Sequence, residues 1–227
     1  MANFQNIKVI RRLVFISYFF VFILFFADIF IYTVYHGLPI KRVVISGDIS
    51  HVDKQRLIEA INNNIYGNLF ALNLAQTRRG LSTLPWIETV SVERVFPGTI
   101  KVAFQSYIAF AKYNNNRILS TDGYVFFGTT TESLPMIITS QNNGKRDLEK
   151  YNFFSNVFNK HNLGIKVMDL SNYGLIVLRL DNNMVFTFYV ENYQEQLKRL
   201  SQYWDKIVIP PYTKFNFSYK DIMTVAS

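Results

Sequence analysis

Polarity changes sharply near the start of the chain. Residues 13–31 read LVFISYFFVFILFFADIFI, with Asp28 as their one charge, and the apolar run continues to Tyr35. At about 1.5 Å per residue, a helix of this length approaches the ~30 Å hydrocarbon core of a bilayer. Each Leu, Val, Ile or Phe favours insertion by roughly 0.3–0.6 kcal/mol, while a central aspartate opposes it by about 2.5–3.5 kcal/mol. The apolar sum wins, and Asp28 lies off-centre. A membrane-spanning helix is expected over 13–35. A cleaved leader is the competing expectation, but cleavage after Ala27 would leave Phe25 third-last, where a small residue is needed. Lys8, Arg11 and Arg12 place the tail, 1–12, in the cytoplasm and the bulk beyond the membrane. Lys41 and Arg42 on the far side weaken that argument without reversing it. Tyr32 and Tyr35 suit an interfacial aromatic belt. Asp28 either contacts a partner helix inside the membrane or reaches headgroups near the far interface.

Beyond the span the periods shorten. Residues 40–45 read as a strand and Ser46-Gly47-Asp48 as a turn. Asp53 caps a helix running to about Asn63, stapled by Val52 and Leu57, with Leu57, Ile58, Ile61 and Ile65 on one face. Asn62-Asn63-Asn64 and Gly67 end it. A second helix fits 74–84, with Leu74, Leu81 and Leu84 inward and Pro85 as its stop. Strands follow at 87–96 and 99–105. Val90 and Val92, then Ile100, Val102 and Phe104, alternate with polar residues, and Pro97-Gly98 reverses the chain. Trp86 reads as a core aromatic. The order is strand, helix, helix, strand, strand.

From Tyr107 the pattern is mainly strand-like, at 107–113, 117–120, 124–126 and 136–139. A helix over 146–160 carries the stripe Leu148, Tyr151, Phe154, Val157 and Phe158. Strands follow at 165–170, 175–180 and 184–190, with Asp181-Asn182-Asn183 closing a hairpin. A helix over 193–205 precedes a last strand at 214–219. The fold class is α+β.

Composition narrows the chemistry. The chain has 227 residues, 24 Lys+Arg, 16 Asp+Glu and no cysteine. That excludes a thiol nucleophile, a disulfide framework and a cysteine-ligated metal. The net charge of +8 is spread over short pairs such as Arg78-Arg79 and Lys198-Arg199, with no dense basic tract interleaved with aromatics. It suits a basic surface beside a membrane better than nucleic-acid binding. His36, His51 and His161 read as exposed polar residues outside any metal-ligand spacing. There is no nucleophile elbow and no phosphate loop. No catalytic residues, cofactor or metal are expected. The pattern points to a binding module, not an enzyme.

Several strings fall into a familiar order. Ile45-Ser46-Gly47, Gly67-Asn68-Leu69-Phe70 and Leu84-Pro85-Trp86-Ile87 precede the most specific, Val92-Glu93-Arg94-Val95-Phe96-Pro97-Gly98-Thr99-Ile100-Lys101-Val102. Together, behind a short-tailed anchor, they resemble the POTRA domain of the FtsQ/DivIB family of bacterial division proteins. The later segment is similar to that family's β-rich domain. Leu119, Gly123, Val125 and Phe126 match one motif, and Leu197 and Arg199 match a helical R-L-x-R-F. Gln196 and Leu200 replace its first Arg and its Phe. Gln105-Ser106-Tyr107-Ile108-Ala109 lacks the Glu and Pro that the family usually carries there. The resemblance implies a tail at 1–12, a span at 13–35, a POTRA domain at 38–106 and a β domain at 107–227.

The resemblance also implies a function: an inner-membrane division scaffold at the septum that binds the periplasmic parts of FtsB and FtsL, with FtsW and FtsI as further partners. Strand addition at an open sheet edge is the expected means. The strand at 214–219 is the expected edge, with Phe215, Phe217 and Tyr219 on one face and Asn216, Ser218 and Lys220 on the other. Phe215 and Phe217 either meet the partner or pack on the last helix. Tyr219 matches a family tyrosine, whereas Asn216 and Ser218 replace its Asp and Arg. Phe215, Phe217, Ser218, Tyr219, Lys220, Gln196 and Arg199 form the expected partner site, with Asp28 as a membrane contact. A POTRA scaffold for another envelope client and an anchored periplasmic enzyme are the alternatives.

Overall fold

The computed structural model describes residues 3–204, 213–219 and 222–226. It divides into two compact units, Met1–Ser106 and Tyr107–Ser227.

The first unit opens with helix α1 (Asn3–His36). Its segment Val9–Thr33 is long and apolar enough to cross a membrane. At 25 residues it spans about 37 Å, which a bilayer accommodates by tilt. Apolar side chains point outward all around it, as a lipid-facing helix requires. The rest of the unit is β1 (Arg42–Gly47), α2 (Lys54–Asn64), α3 (Leu74–Leu81), β2 (Ile87–Val95) and β3 (Thr99–Ser106). The sheet order is β1-β3-β2, with β1 and β3 parallel and β2 and β3 antiparallel. A parallel pair needs a long crossover, which α2 and α3 supply. Asp53 caps α2 by accepting the Arg56 N–H at 2.9 Å, and Asn73 caps α3 by accepting that of Gln76 at 3.1 Å.

Leu57, Ile61 and Ile65 face the core with Ile100 and Val102 from the central strand. Ile58 departs from expectation: it is 57% exposed. One residue turns a helix by about 100°, so Ile58 falls outside the narrow stripe that meets the sheet. The second helix ends at Leu81, three residues early. Ser82 and Thr83 hydroxyls donate to the Arg79 and Gly80 carbonyls, tying off the last turn. Leu84 and Trp86 remain buried beyond the helix. Gly47 is required at its φ of 101°, because a Cβ there would lie 1.9 Å from the Phe104 carbonyl oxygen. Arg94 explains the arginine of the hairpin motif: it donates to the Leu69 carbonyl at 2.6 Å and the Leu72 carbonyl at 2.5 Å, fixing the loop before α3.

The second unit contains β4 (Ala109–Tyr113), β5 (Arg117–Ser120), β6 (Val125–Phe127), β7 (Met136–Thr139) and α4 (Gly144–Phe158). A short 3-10 turn, Asn159–His161, extends α4. After it come β8 (Ile165–Leu170), β9 (Leu175–Leu180), β10 (Val185–Tyr189), α5 (Tyr193–Tyr203), β11 (Lys214–Tyr219) and β12 (Ile222–Ala226). One nine-stranded sheet runs β12-β11-β10-β9-β8-β7-β4-β5-β6. The β7–β8 and β10–β11 pairs are parallel, and α4 and α5 are their crossovers. Phe154 and Phe158 of α4 and Leu197 and Leu200 of α5 pack on Phe186, Phe188 and Met168 of the sheet. Within that core the Tyr113 hydroxyl donates to the buried Asp147 carboxylate at 2.7 Å. Burial, followed by that carboxylate, pushes the phenol well above its ordinary range.

Two histidines are not free polar groups. His51 stacks on Trp86 at 4.3 Å and His161 on Trp204 at 4.5 Å. An imidazole lends an apolar face to an adjacent aromatic, which a reading for polar chemistry alone overlooks.

Candidate partner-binding surface

The strand expected at the edge is not the edge. β11 is paired on both sides: in parallel with β10 and antiparallel with β12. Register joins Phe186 to Phe215 and Phe188 to Phe217, then Phe215 to Val225 and Asn216 to Thr224. The ladder shifts between Asn216 and Tyr219, and Tyr219 pairs with Ile222. Among the described residues the sheet therefore ends on this side at β12, as it ends on the other at β6. The five residues of β12, Ile222-Met223-Thr224-Val225-Ala226, carry no charge and no proline. Natural edges are usually blunted by such residues, and this one is not. Thr224 is exposed.

Three of the expected contact residues are buried within the unit. Phe215 and Phe217 are 1% and 8% exposed and lie in the core. They stack on Phe186 at 4.7 Å and on Phe188 at 5.1 Å. Their face of β11 is the one α5 covers, so both side chains are taken up by core packing and hold the strand in place. Gln196 is also buried, at 5%. Its side-chain oxygen accepts the Tyr189 N–H at 3.1 Å, and its nitrogen donates to the Phe217 carbonyl at 2.7 Å. One amide thus ties α5 to both β10 and β11. A glutamine can accept and donate at once, which this position requires.

Arg199 lies on the outer side of α5 and pairs with Glu195 at 2.7 Å; their side chains are 52% and 63% exposed. Ser218 and Tyr219 are placed in β11, but their side chains lie outside the described residues, as does Lys220 altogether. The same holds for the Tyr35 and His36 side chains. Asp28 is exposed on α1, five residues before Thr33.

The structure thus brings Ser218 and Tyr219 beside β12, keeps Arg199 on the adjoining helix surface, and withdraws Phe215, Phe217 and Gln196 into the core. β12 is what the sequence reading missed. The signal was there: Lys220-Asp221 is a short polar break between two β-branched or aromatic runs, the mark of a hairpin.

A cleft of about 340 Å³ in the same unit is lined by Arg146, Glu149, Lys150, Phe153 and Tyr193, among others. Burial, followed by the Arg146 charge, lowers the Lys150 ammonium from its usual range. Among the described residues no three His, Cys, Asp or Glu side chains are grouped to hold a metal.

Comparison with known proteins gives a consistent result. Residues 38–105 match the family model described as "POTRA domain, FtsQ-type". The chain is 26% identical to the cell division protein FtsQ of Neisseria meningitidis serogroup B over 186 residues, covering 82% of this chain and 78% of that one. It is 22% identical to FtsQ of Nitrosospira multiformis, covering 75% of each. With FtsQ of Coxiella burnetii it shares 21% identity over 75% of this chain and 72% of the other.

Proposed function

The chain belongs to the FtsQ family of cell-division proteins, and from that premise we propose that it is a division scaffold whose β12 edge takes up a strand of the FtsB–FtsL pair. The observation that carries this is β12 itself, an uncharged strand that ends one side of the nine-stranded sheet among the described residues. An incoming strand completes its unpaired N–H and C=O groups, giving affinity through the main chain and specificity through alternate side chains. Ser218 and Tyr219, the last two residues of β11, are taken as partner contacts at this end of the strand pair, and Lys220 is counted with them on the sequence resemblance alone. Arg199, already paired with Glu195, offers a charge on the adjoining helix.

In this account α1 anchors the protein in the inner membrane with its N-terminus in the cytoplasm. The two folded units work in the periplasm at the septum. There the scaffold holds FtsB and FtsL beside FtsW and FtsI, which build septal wall. No catalytic step is assigned to the chain. The 107–227 unit is the FtsQ-type β domain and 38–106 the POTRA domain.

The test uses the full-length chain in nanodiscs, titrated calorimetrically with the periplasmic part of FtsB from the same organism. Successive N–H groups of a strand point to opposite sides, so one of Met223 and Thr224 donates outward and the other toward β11. Met223→Pro and Thr224→Pro are compared. The outward position loses capture at least tenfold while the unit stays folded. Undiminished capture by both folded variants would remove β12 from the interface.

A further inference from the structure

In the first unit an aromatic pair is exposed without an assigned role. Phe70 and Phe96 are 46% and 60% exposed, and their rings lie 5.7 Å apart. Val95, beside them, is 44% exposed. Their location is the informative part. Immediately after α1 the chain is pinned to the first unit: the Leu69 N–H donates to the Leu38 carbonyl at 2.9 Å, and the Lys41 N–H to the Gly98 carbonyl at 2.8 Å. Pro39 bridges to Asn68. The chain thus passes from α1 into β1 through residues that are hydrogen-bonded to the rest of the unit. Gly37 lies against Phe70, where an added Cβ would come within 3.0 Å of the ring.

Gly37 stands four residues past Thr33, about 6 Å along a helix, and the headgroup layer is roughly 5–7 Å deep on each side. The aromatic pair is therefore held at the depth of the bilayer interface. Lys41 and Arg42, both exposed, lie at the same end, where anionic headgroups would meet them.

We propose that the three-stranded unit is seated on the bilayer by Phe70 and Phe96, with Lys41 and Arg42 engaging lipid headgroups around the exit of its own anchor. Aromatic side chains favour this layer, and the apolar area here is continuous with the membrane span. The seat fixes the height and tilt of the unit above the membrane, and gives Lys41 and Arg42 a purpose on a side where cations are not needed for orientation. The proposal rests on α1 being a membrane anchor.

The test uses the full chain, which has no native cysteine. Val95→Cys and, separately, Ser50→Cys carry an environment-sensitive fluorophore. Ser50 lies beyond the far end of β1, which at ~3.3 Å per residue leads roughly 17 Å or more from Arg42. The proteins are reconstituted in phosphatidylethanolamine–phosphatidylglycerol vesicles containing headgroup nitroxide lipid. Quenching at position 95 is expected to be at least threefold stronger than at position 50. Adding Phe70→Ser and Phe96→Ser should lower it to the level at 50. Equal quenching at 95 and 50 in the otherwise native chain overturns the seat and assigns the aromatic pair to a protein partner. Failure of the native chain to float with vesicles removes the anchor, and the seat with it.

Discussion

Gln196 is where the account makes its most quantitative demand. Gln196→Ala deletes both links of the amide and leaves the Tyr189 N–H and the Phe217 carbonyl without that partner. An unmet buried backbone group costs about 1–3 kcal/mol, and the carbonyl retains a second lone pair, so the expected loss is about 2–4 kcal/mol. For a unit of this size that corresponds to a fall of roughly 10 °C in its melting temperature. Gln196→Glu adds a signature that simple loss of packing lacks. A carboxylate there still accepts from Tyr189 but confronts the Phe217 carbonyl with no donor. Burial and that carbonyl raise its folded pKa above the unfolded value near ~4.3. A raised folded pKa gives stability that is fully present below the unfolded pKa and is lost as pH rises through the folded one. The Glu variant should thus be closest to native at acidic pH and weakest at neutral pH. Fluorine NMR of 5-fluorotryptophan-labelled protein follows this locally, since the two tryptophans lie in different units and Trp204 packs on Phe186. An Ala variant melting within about 2 °C of native, or a Glu variant insensitive to pH, would refute the bridging role.

Three further outcomes follow from the same geometry. Phe215→Ala opens a cavity in the aromatic stack and should cost about 3–5 kcal/mol of unfolding free energy in urea titration, whereas a Phe215 at the partner surface would cost little. Arg94→Ala frees the Leu69 and Leu72 carbonyls and should destabilise the first unit by about 2–4 kcal/mol, read as faster amide exchange across residues 68–73. Tyr219→Glu should abolish FtsB capture in the nanodisc titration while leaving the melting curve unchanged; normal capture by the folded variant would take Tyr219 out of the interface.

Much of the fold was legible because its periods were clean. Strands at Arg117–Ser120, Met136–Thr139, Ile165–Leu170 and Leu175–Leu180 stand where alternation and turn residues placed them. The cap at Asp53 follows from side-chain chemistry that acts within four residues. The functional surface was less legible because it depends on pairings distant in sequence. Alternation put Phe215 and Phe217 on one face of a strand, but which face α5 covers is decided by β10, about 30 residues earlier. Gln196 looked like an altered surface arginine because its two partners, Tyr189 and Phe217, are set by the parallel crossover and not by its neighbours on the helix. The status of β11 as an inner strand depended on β12, whose short apolar run follows a two-residue break.

Residue-resolved amide exchange on β12, in the full-length protein with and without the periplasmic part of FtsB, tests the central claim most directly. Strand addition engages only the outward N–H groups, so protection should rise on alternate residues of Ile222–Ala226, with those already bonded to β11 unchanged. Bound FtsB that leaves every β12 amide exchanging at its free rate, with protection appearing elsewhere on the unit, would contradict the account.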